Sequence, residues 1–362
     1  MPTESTEIVP NVFQLKIPIP GMRLGYTMPY LIKGDDGHLL IDTGLYSEEG
    51  INSFKTQLVD EIRIDPKQIK LILITHNHPD HYGLVKEVKE LTQAPVAMHE
   101  SDWNDSFFIR SKKKNTSSKT QVAVNPLEMM KKWFRRNGVP EKELSGSLWP
   151  SSHENQDKKT KKANPKASTE KQTRWDPTNL PEPDIQLKGD EVFKAGSFSI
   201  RAIWTPGHTP GHLCFYESKS NLLFTGDHVL PRITSNVSAR MDKDGDPLGD
   251  YISSLEKLSS LDVDLVLPAH EYSFNNLDKR IEDLVAHHTE RLDEVVSSLN
   301  KSNQTAYEIA QQISWNVGTW DQMDRFLRRS AAGETLSHLE HLKNKGLIYS
   351  NKTDTGLITW GI

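Results

Sequence analysis

The fold of this chain is indicated by one stretch, Leu71-Ile72-Leu73-Ile74-Thr75-His76-Asn77-His78-Pro79-Asp80-His81. The stretch begins as an unbroken apolar run, which predicts a strand buried on both faces. Its polar end follows the C terminus of that strand, where open α/β sheets place their ligands. Three histidines and an aspartate offer the nitrogen and oxygen donors that bind zinc and similar divalent ions. The stretch therefore predicts a metal site at a sheet edge; the alternative is a loop in which histidines occur by chance.

Three later strands end in the same manner. Each is an apolar run followed by residues able to bind a metal: 200–204 before His208 and His212, 222–225 before Asp227 and His228, and 265–267 before His270. Four strands that bring such donors to one sheet edge can converge on a single site. Spacing alone leaves open which of His208 and His212 is the ligand.

These motifs resemble the metallo-β-lactamase superfamily, whose pattern is His-x-His-x-Asp-His, then a later His, an Asp and a final His. Every position is present, and the resemblance spans roughly residues 8–276 apart from an insertion. It implies an α/β fold, the αββα sandwich, and a dinuclear metal-dependent hydrolase. It also implies the ligands of the two metal ions: His76, His78 and His208 for one, Asp80, His81 and His270 for the other, with Asp227 bridging them.

Two positions narrow the expected activity within the superfamily. His78 stands where redox-active diiron members carry Glu, so a hydrolytic site is favoured. Asp227 stands where many true β-lactamases carry Cys, and those enzymes are exported. Antibiotic hydrolysis is therefore not expected as the main role.

The expected chemistry is hydrolysis by a hydroxide that bridges two divalent ions, because metal coordination lowers the pKa of water to about 7. Asp80 and Asp227 are the expected catalytic carboxylates. Asp227 would bridge the ions, and Asp80 would pass a proton to the leaving group besides acting as a ligand. Zinc is the expected metal, and iron or manganese suits the same His/Asp shell.

Several polar residues are predicted to lie around these ligands. In the superfamily the position of Asp42 orients a metal ligand, and a ligating imidazole usually donates its other N–H to a carboxylate. The alternative is that Asp42 simply ends a strand in an Asp-Thr-Gly turn. His212 and His228 are predicted to support the site, whereas His99 is expected outside the ligand set and Tyr82 is expected to pack.

Residues from about 102 to 185 depart from a minimal superfamily domain. Residues 126–137 predict an amphipathic helix, and similar inserted helices in the superfamily form a lid over the metals. The alternative is a surface helix with no part in substrate choice. Residues 151–173 are Lys-rich with few apolar side chains, which predicts a flexible solvated loop rather than a site that attracts an anionic substrate.

The chain is predicted to have two domains, a catalytic domain at 1–276 and a small domain at 277–362. The first domain is expected to open with one strand over 8–17. The second is predicted to contain helices at 277–299, from 305, and at 334–345, followed by a β-hairpin.

This order resembles the winged-helix tail of a β-lactamase-like hydrolase branch that includes a mitochondrial endoribonuclease. Winged helices often bind DNA. A scaffold, dimer contact or pocket wall is nevertheless favoured, because the third helix carries acidic residues and the tail is not basic overall.

The whole-chain composition limits the classes of protein that need to be considered. A length of 362 residues suits one large and one small domain, and a formal net charge of −5 gives no reason to expect non-specific binding to phosphate backbones. The single cysteine, Cys214, excludes an intrachain disulfide and suits a reducing compartment. Residues 1–7 lack the basic and apolar regions of an export signal, and no apolar run approaches membrane-spanning length. We therefore expect a cytoplasmic protein without a membrane partner.

The leading functional hypothesis is hydrolysis of a small-molecule ester, thioester or lactone. The alternative is a single-strand-specific endoribonuclease or phosphodiesterase, which the tail motivates, so nucleic acid is the less favoured partner. A third hypothesis is a metal-binding module without turnover. Association into a homo-oligomer is left open.

Overall fold

The structure, a computed structural model, describes residues 4–21, 24–105, 126–145, 180–241, 245–299 and 302–362. The first nine strands are β1 (Thr6–Val9), β2 (Val12–Gln14), β3 (Ile17–Pro18), β4 (Tyr26–Thr27), β5 (Tyr30–Ile32), β6 (His38–Ile41), β7 (Ile69–Leu73), β8 (Val96–His99) and β9 (Ile185–Leu187). Seven of them form one sheet in the order β1-β2-β5-β6-β7-β8-β9, and β3 pairs with β4. The quoted stretch supplies β7, which is almost wholly buried between the parallel strands β6 and β8, as predicted.

A second sheet faces the first. Its strands are β10 (Val192–Ala195), β11 (Phe198–Trp204), β12 (Leu213–Glu217), β13 (Leu222–Gly226) and β14 (Leu265–Pro268), in that spatial order. The pairs are antiparallel except for β13 and β14, which run parallel. Leu73, Phe215 and Leu267 belong to the buried layer between the two sheets. Burial of such side chains, at roughly 25 cal/mol per Å² of apolar surface, holds the sheets together.

Helices cover the outer face of each sheet. Over the first sheet lie α1 (Glu48–Thr56), α2 (Pro79–Tyr82), α3 (Val85–Thr92) and α4 (Glu100–Asp105). Farther along the chain come α5 (Pro126–Arg136), α6 (Glu141–Leu144), α7 (Pro247–Ser259) and α8 (Leu277–Leu299). Phe54 and Val88 pack on the first sheet, while Tyr251, Leu255 and Ile281 pack on the second. The predicted αββα sandwich is confirmed.

The C-terminal part contains α9 (Ala306–Ala310), α10 (Arg325–Asn344) and the hairpin of β15 (Tyr349–Lys352) and β16 (Ile358–Gly361). With α8 this gives three helices and a hairpin in the predicted order; the winged-helix assignment itself stays a prediction. Helix α8 contributes Ile281 to the core under the second sheet and Val295 to the core of the tail. Body and tail therefore share one continuous helix. Among all the helices in these ranges, none is both long and apolar enough to cross a bilayer.

Helix α5 of the insertion packs against the tail. Trp133 lies in the same buried cluster as Leu336 and Leu339 of α10, and the carbonyl of Asn137 accepts a hydrogen bond from the N–H of Tyr307 at 3.2 Å. A lid role for α5 stays a prediction. The predicted flexible loop at 151–173 lies outside the described residues.

Two predicted elements are wrong in their extent. The single strand at 8–17 is instead broken into β1, β2 and the start of β3, because Pro10 has no backbone N–H and Asn11 adopts a left-handed φ of 68°. The helix predicted at 334–345 begins earlier, at Arg325, where the Asp324 side chain accepts a hydrogen bond from the N–H of Leu327.

Candidate metal centre

The four predicted strand ends meet at one edge of the facing sheets. The segment after β7 brings His76, and the turn into α2 brings His78, Asp80 and His81. The loop after β11 brings His208, while Asp227 and His270 follow β13 and β14. All seven predicted residues lie in two adjoining groups whose nitrogen and oxygen atoms are close enough to bind metal ions.

The first group consists of His76, His78, His208 and Asp227. His78 Nδ1 lies 3.0 Å from His76 Nε2 and 2.9 Å from His208 Nε2, and the latter two nitrogens are 3.2 Å apart. Asp227 Oδ2 lies 3.6 Å from His208 Nε2 and 3.9 Å from His76 Nε2. Three imidazoles and one carboxylate oxygen thus surround one point.

The second group consists of Asp80, His81 and His270. Asp80 Oδ2 lies 3.3 Å from His270 Nε2 and 3.8 Å from His81 Nε2. Asp227 Oδ1 lies 3.3 Å from each of the same two nitrogens. Asp227 therefore directs one carboxylate oxygen at each group.

The second group contains buried polar atoms that make no hydrogen bond in the described part of the chain. These are His81 Nε2, His270 Nε2 and Asp227 Oδ1. Buried polar atoms are costly unless something pairs with them, and metal coordination is one way to pair them. Imidazole nitrogens and carboxylate oxygens in this number are the donors that zinc and related divalent ions take. The residues present fit a divalent metal ion.

The charges of the two groups differ. Burial, reinforced by the neighbouring histidines, lowers the pKa of His76 well below its usual value, and burial with His208 lowers the pKa of His78 to about 3. These rings are neutral and present lone pairs. Burial acts in the same direction on His81 and His270, but Asp227 and nearby carboxylates outweigh it and raise the pKa of His270 to about 10 and that of His81 well above 6.5. Asp227 and Asp80 thus attract positive charge to the second group.

Asp42 hydrogen-bonds a histidine of the second group. Its Oδ2 lies 2.8 Å from His81 Nδ1, and its Oδ1 accepts the N–H of Thr75 at 2.8 Å. Asp42 also has a left-handed φ of 62° at the end of β6. Asp42 therefore both ends the strand and fixes the His81 ring. The two interpretations of Asp42 from the sequence, a strand-ending turn and a residue that orients a ligand, are compatible.

The structure distinguishes the two histidines that spacing could not. His208 points Nε2 at the first group, and its Nδ1 lies 2.8 Å from the carbonyl oxygen of Asn236. His212 instead accepts the N–H of Asp227 on Nε2 at 3.2 Å, and its Nδ1 lies 2.9 Å from Thr205 Oγ1. His212 thus supports the backbone of Asp227, as predicted.

The other aromatic residues noted in the sequence lie outside the two groups. His228 is fully buried and packs its ring between His212 and Tyr251. His99 stacks on Trp204, and the Tyr82 hydroxyl donates to the carbonyl of Pro181. His99 thus lies outside the two groups, as expected, and Tyr82 is buried in packing, as expected.

Sequence reasoning missed Asp102, which ties two metal-site loops together. This buried carboxylate accepts the N–H of Asn77 at 3.0 Å, the hydroxyl of Thr209 at 2.8 Å and the N–H of Gly211 at 2.5 Å. Asn77 lies between His76 and His78, while Thr209 follows His208. No local pattern around Asp102 predicts this role, because the three donors come from distant segments.

Comparisons with known proteins agree with this fold and site. Residues 22–270 match the metallo-beta-lactamase superfamily. The chain is 26% identical to the probable metallo-hydrolase YqjP of Bacillus subtilis over 94% of each chain. It is 28% identical to the lactamase-like protein adaB of Aspergillus niger, over 83% of this chain and 67% of that protein.

A solved structure shares the fold over nearly the whole length. The metallo-beta-lactamase family protein TTHA1429 from Thermus thermophilus superposes with a TM-score of 0.74 at 25% identity, covering 98% of this chain and 99% of that one. A likeness of this extent includes the tail. This chain belongs to the metallo-β-lactamase superfamily, and the prediction of a metal-dependent hydrolase is confirmed.

Proposed function

We propose that this chain is a dinuclear hydrolase that holds two divalent ions in the two groups. His76, His78 and His208 would hold one ion, and Asp80, His81 and His270 the other, with Asp227 bridging. The observation that carries this proposal is the placement of Asp227, whose two oxygens face the two groups while Oδ1 makes no hydrogen bond within the described residues. Zinc is our choice of metal because three imidazoles in one group are typical of zinc sites.

Bound divalent ions supply water with a pKa near 7 and polarise a carbonyl or phosphoryl oxygen. Neighbouring residues hold the ligand side chains in place. Asp42 fixes the His81 ring, and the Asn236 carbonyl fixes that of His208. The side chain of Asp80 is 17% exposed, whereas that of His81 is fully buried, so Asp80 is accessible for passing a proton to a leaving group.

For the substrate, we propose a small-molecule ester, thioester or lactone rather than RNA. Proteins bind phosphate backbones with lysine and arginine side chains that are available to the phosphates. The arginines at the start of α10 are instead turned to the insertion: Arg325 donates to Ser145, and Arg328 and Arg329 donate to Glu143. This arrangement supports a tail that acts as scaffold or pocket wall.

The test is a turnover assay of the zinc-loaded full-length protein. Panels of thioesters, lactones and simple esters are run beside labelled single-stranded RNA. We expect turnover on at least one acyl panel and its loss, by about a thousandfold or more, in Asp227→Asn. The matched control is His99→Gln, because His99 is a buried histidine outside both groups and its replacement should leave turnover intact.

One result would contradict the proposed substrate, and another would contradict the proposed hydrolytic reaction. RNA cleavage that disappears in Asp227→Asn, without acyl turnover, would establish the nuclease. Bound metal with no turnover on any panel would support a binding module instead.

A further inference from the structure

A cavity lies between the body and the tail. It has a volume of about 130 Å³ and is lined by α8, α10 and the segments 234–236 and 315–323. None of the seven metal-site residues lines it. It adjoins the metal centre only through Asn236, whose carbonyl oxygen lies 2.8 Å from His208 Nδ1.

Arg291 places a buried guanidinium group in the cavity wall. The side chain is 4% exposed and lies over the ring of Trp315, with its central carbon 4.5 Å from the ring centre. Its hydrogen bonds to Glu294 and to the carbonyl of Ser314 both use Nη1. Within the described chain, neither Nη2 nor Nε donates to an acceptor, and Nε is buried. The guanidinium forms an ion pair with Glu294, and its Nη2 is the donor left for a ligand; such a donor on a cation can bind an anionic group such as a carboxylate.

Glu334 lines the same cavity from α10. The residue is 8% exposed, and no hydrogen bond or ion pair to its carboxyl group occurs in the residues that the structure describes. Burial raises the pKa of Glu334 to about 7, although Arg291 opposes the shift. Near neutral pH a large fraction of this group is protonated, and a protonated carboxyl donates a hydrogen bond to an anion.

The remaining wall has an apolar part and a polar part, the latter formed by Thr234, Asn236, His287, Asn316 and Ser330. Val317, Met323, Leu327 and Ala331 all line the cavity. Apolar cavities of about 150 Å³ hold benzene, so this one has room for a ligand of about six to eight non-hydrogen atoms.

We propose that this cavity binds a small monocarboxylate, with the carboxylate on Arg291 and the hydrocarbon part against the apolar wall. The proposal does not depend on the hydrolytic reaction, because none of the seven residues of the two metal groups lines the cavity, although Asn236 in its wall also holds the His208 ring.

The test is isothermal titration of the metal-loaded full-length protein with butyrate and benzoate, and with benzylamine and benzyl alcohol as size-matched comparisons. We expect saturable binding of at least one carboxylate at one site per chain. Arg291→Gln removes the charge and should weaken binding at least about tenfold. Ala331→Leu fills the cavity and should weaken it as much, whereas Glu334→Gln keeps a hydrogen-bond donor and should bind within about threefold of the unmodified protein.

Arg291 also contacts Ser314 and Trp315, so Arg291→Gln could fail to fold. In that case Ala331→Leu provides the test. Absence of carboxylate binding to folded, metal-loaded protein would overturn the proposal. Undiminished binding in folded Ala331→Leu would also overturn it, because the carboxylate would then be bound outside this cavity. Benzylamine binding that Glu334→Gln abolishes would show that the cavity takes a cation.

Discussion

At the scale of single residues, Asp102 is the side chain that couples the loops of the first metal group. Asp102 accepts hydrogen bonds from Asn77, Thr209 and Gly211. In Asp102→Asn the side-chain amide N–H would face one of these donors, so one buried hydrogen bond would be lost. We expect Asp102→Asn to lose about 2 kcal/mol in the free energy of unfolding and about 10- to 100-fold in zinc affinity. Chemical denaturation and competition with a zinc chelator measure these two quantities.

The matched control is Asp36→Asn, because the Asp36 side chain is 60% exposed and pairs only with Lys70 and the N–H of Gly196 among the described residues. It should leave zinc affinity unchanged. Unaltered zinc affinity in Asp102→Asn would contradict the coupling role.

Glu334 is predicted to make the stability of the protein pH-dependent. Its pKa is raised by burial to about 7, while the unfolded value stays near 4.5. Between these values the folded state holds a proton that the unfolded state has released, so stability falls as pH rises from about 4.5 to about 7 and then levels off. From pH 5 to 8 the wild type should lose up to about 3 kcal/mol relative to Glu334→Gln.

Urea denaturation of both proteins at several pH values measures this difference. His287 and Arg291 from α8 also line the cavity and remain in both proteins, so they cancel in the comparison. Glu282→Gln, the same change at an exposed carboxylate of α8, should track the wild type. Parallel curves for Glu334→Gln and wild type would refute the assigned shift.

The motifs after four apolar strands predict where the site lies, and the resemblance to the superfamily pattern assigns its seven residues, including the choice of His208 over His212. Asp102 and the carbonyl of Asn236 could not be predicted in this way. Their roles depend on contacts between segments far apart in sequence, such as Asp102 with Thr209, and a single sequence carries no mark of those contacts.

At the scale of elements, α10 is connected to the metal centre through one loop. Ser330 Oγ accepts a hydrogen bond from Asn236 Nδ2, and the carbonyl of Asn236 lies 2.8 Å from His208 Nδ1. We expect Ser330→Ala to loosen this loop, with a loss of about 1 kcal/mol in unfolding free energy and a few-fold decrease in zinc affinity.

Ser337→Ala is the matched control on the same helix. The hydroxyl of Ser337 is buried without a hydrogen-bond partner in the described part of the chain, so its removal should leave stability and zinc affinity the same or slightly higher. Equal behaviour of the two variants in denaturation and zinc competition would show that α10 does not position His208.

Strands and helices with a clear apolar pattern could be predicted from the sequence. The points where such elements break or begin were harder to predict. The strand β7 and the helix α8 follow from apolar patterning alone. The break at Pro10–Asn11 was missed because alternation continues across it, and the first turns of α10 were missed because the Asp324 cap precedes a charged rather than an apolar segment.

At the scale of the whole molecule, the tail is packed into the body and does not stand apart. Thr305 lies so close to Gly138, after α5, that an added Cβ on that glycine would come within 2.2 Å of the Thr305 hydroxyl oxygen. A contact between two residues so distant in the chain could not be predicted from one sequence. The two-sheet body could, because its motifs place four strand ends at one site.

We propose that seven side chains hold two ions that share Asp227. The most direct measurement is the metal content per chain, by inductively coupled plasma mass spectrometry, of gently purified wild type, Asp227→Asn and His99→Gln. We expect two divalent ions per chain in wild type and His99→Gln, and at most one in Asp227→Asn. A wild-type protein without bound metal after incubation with zinc, or an Asp227→Asn variant that retains two ions, would contradict it.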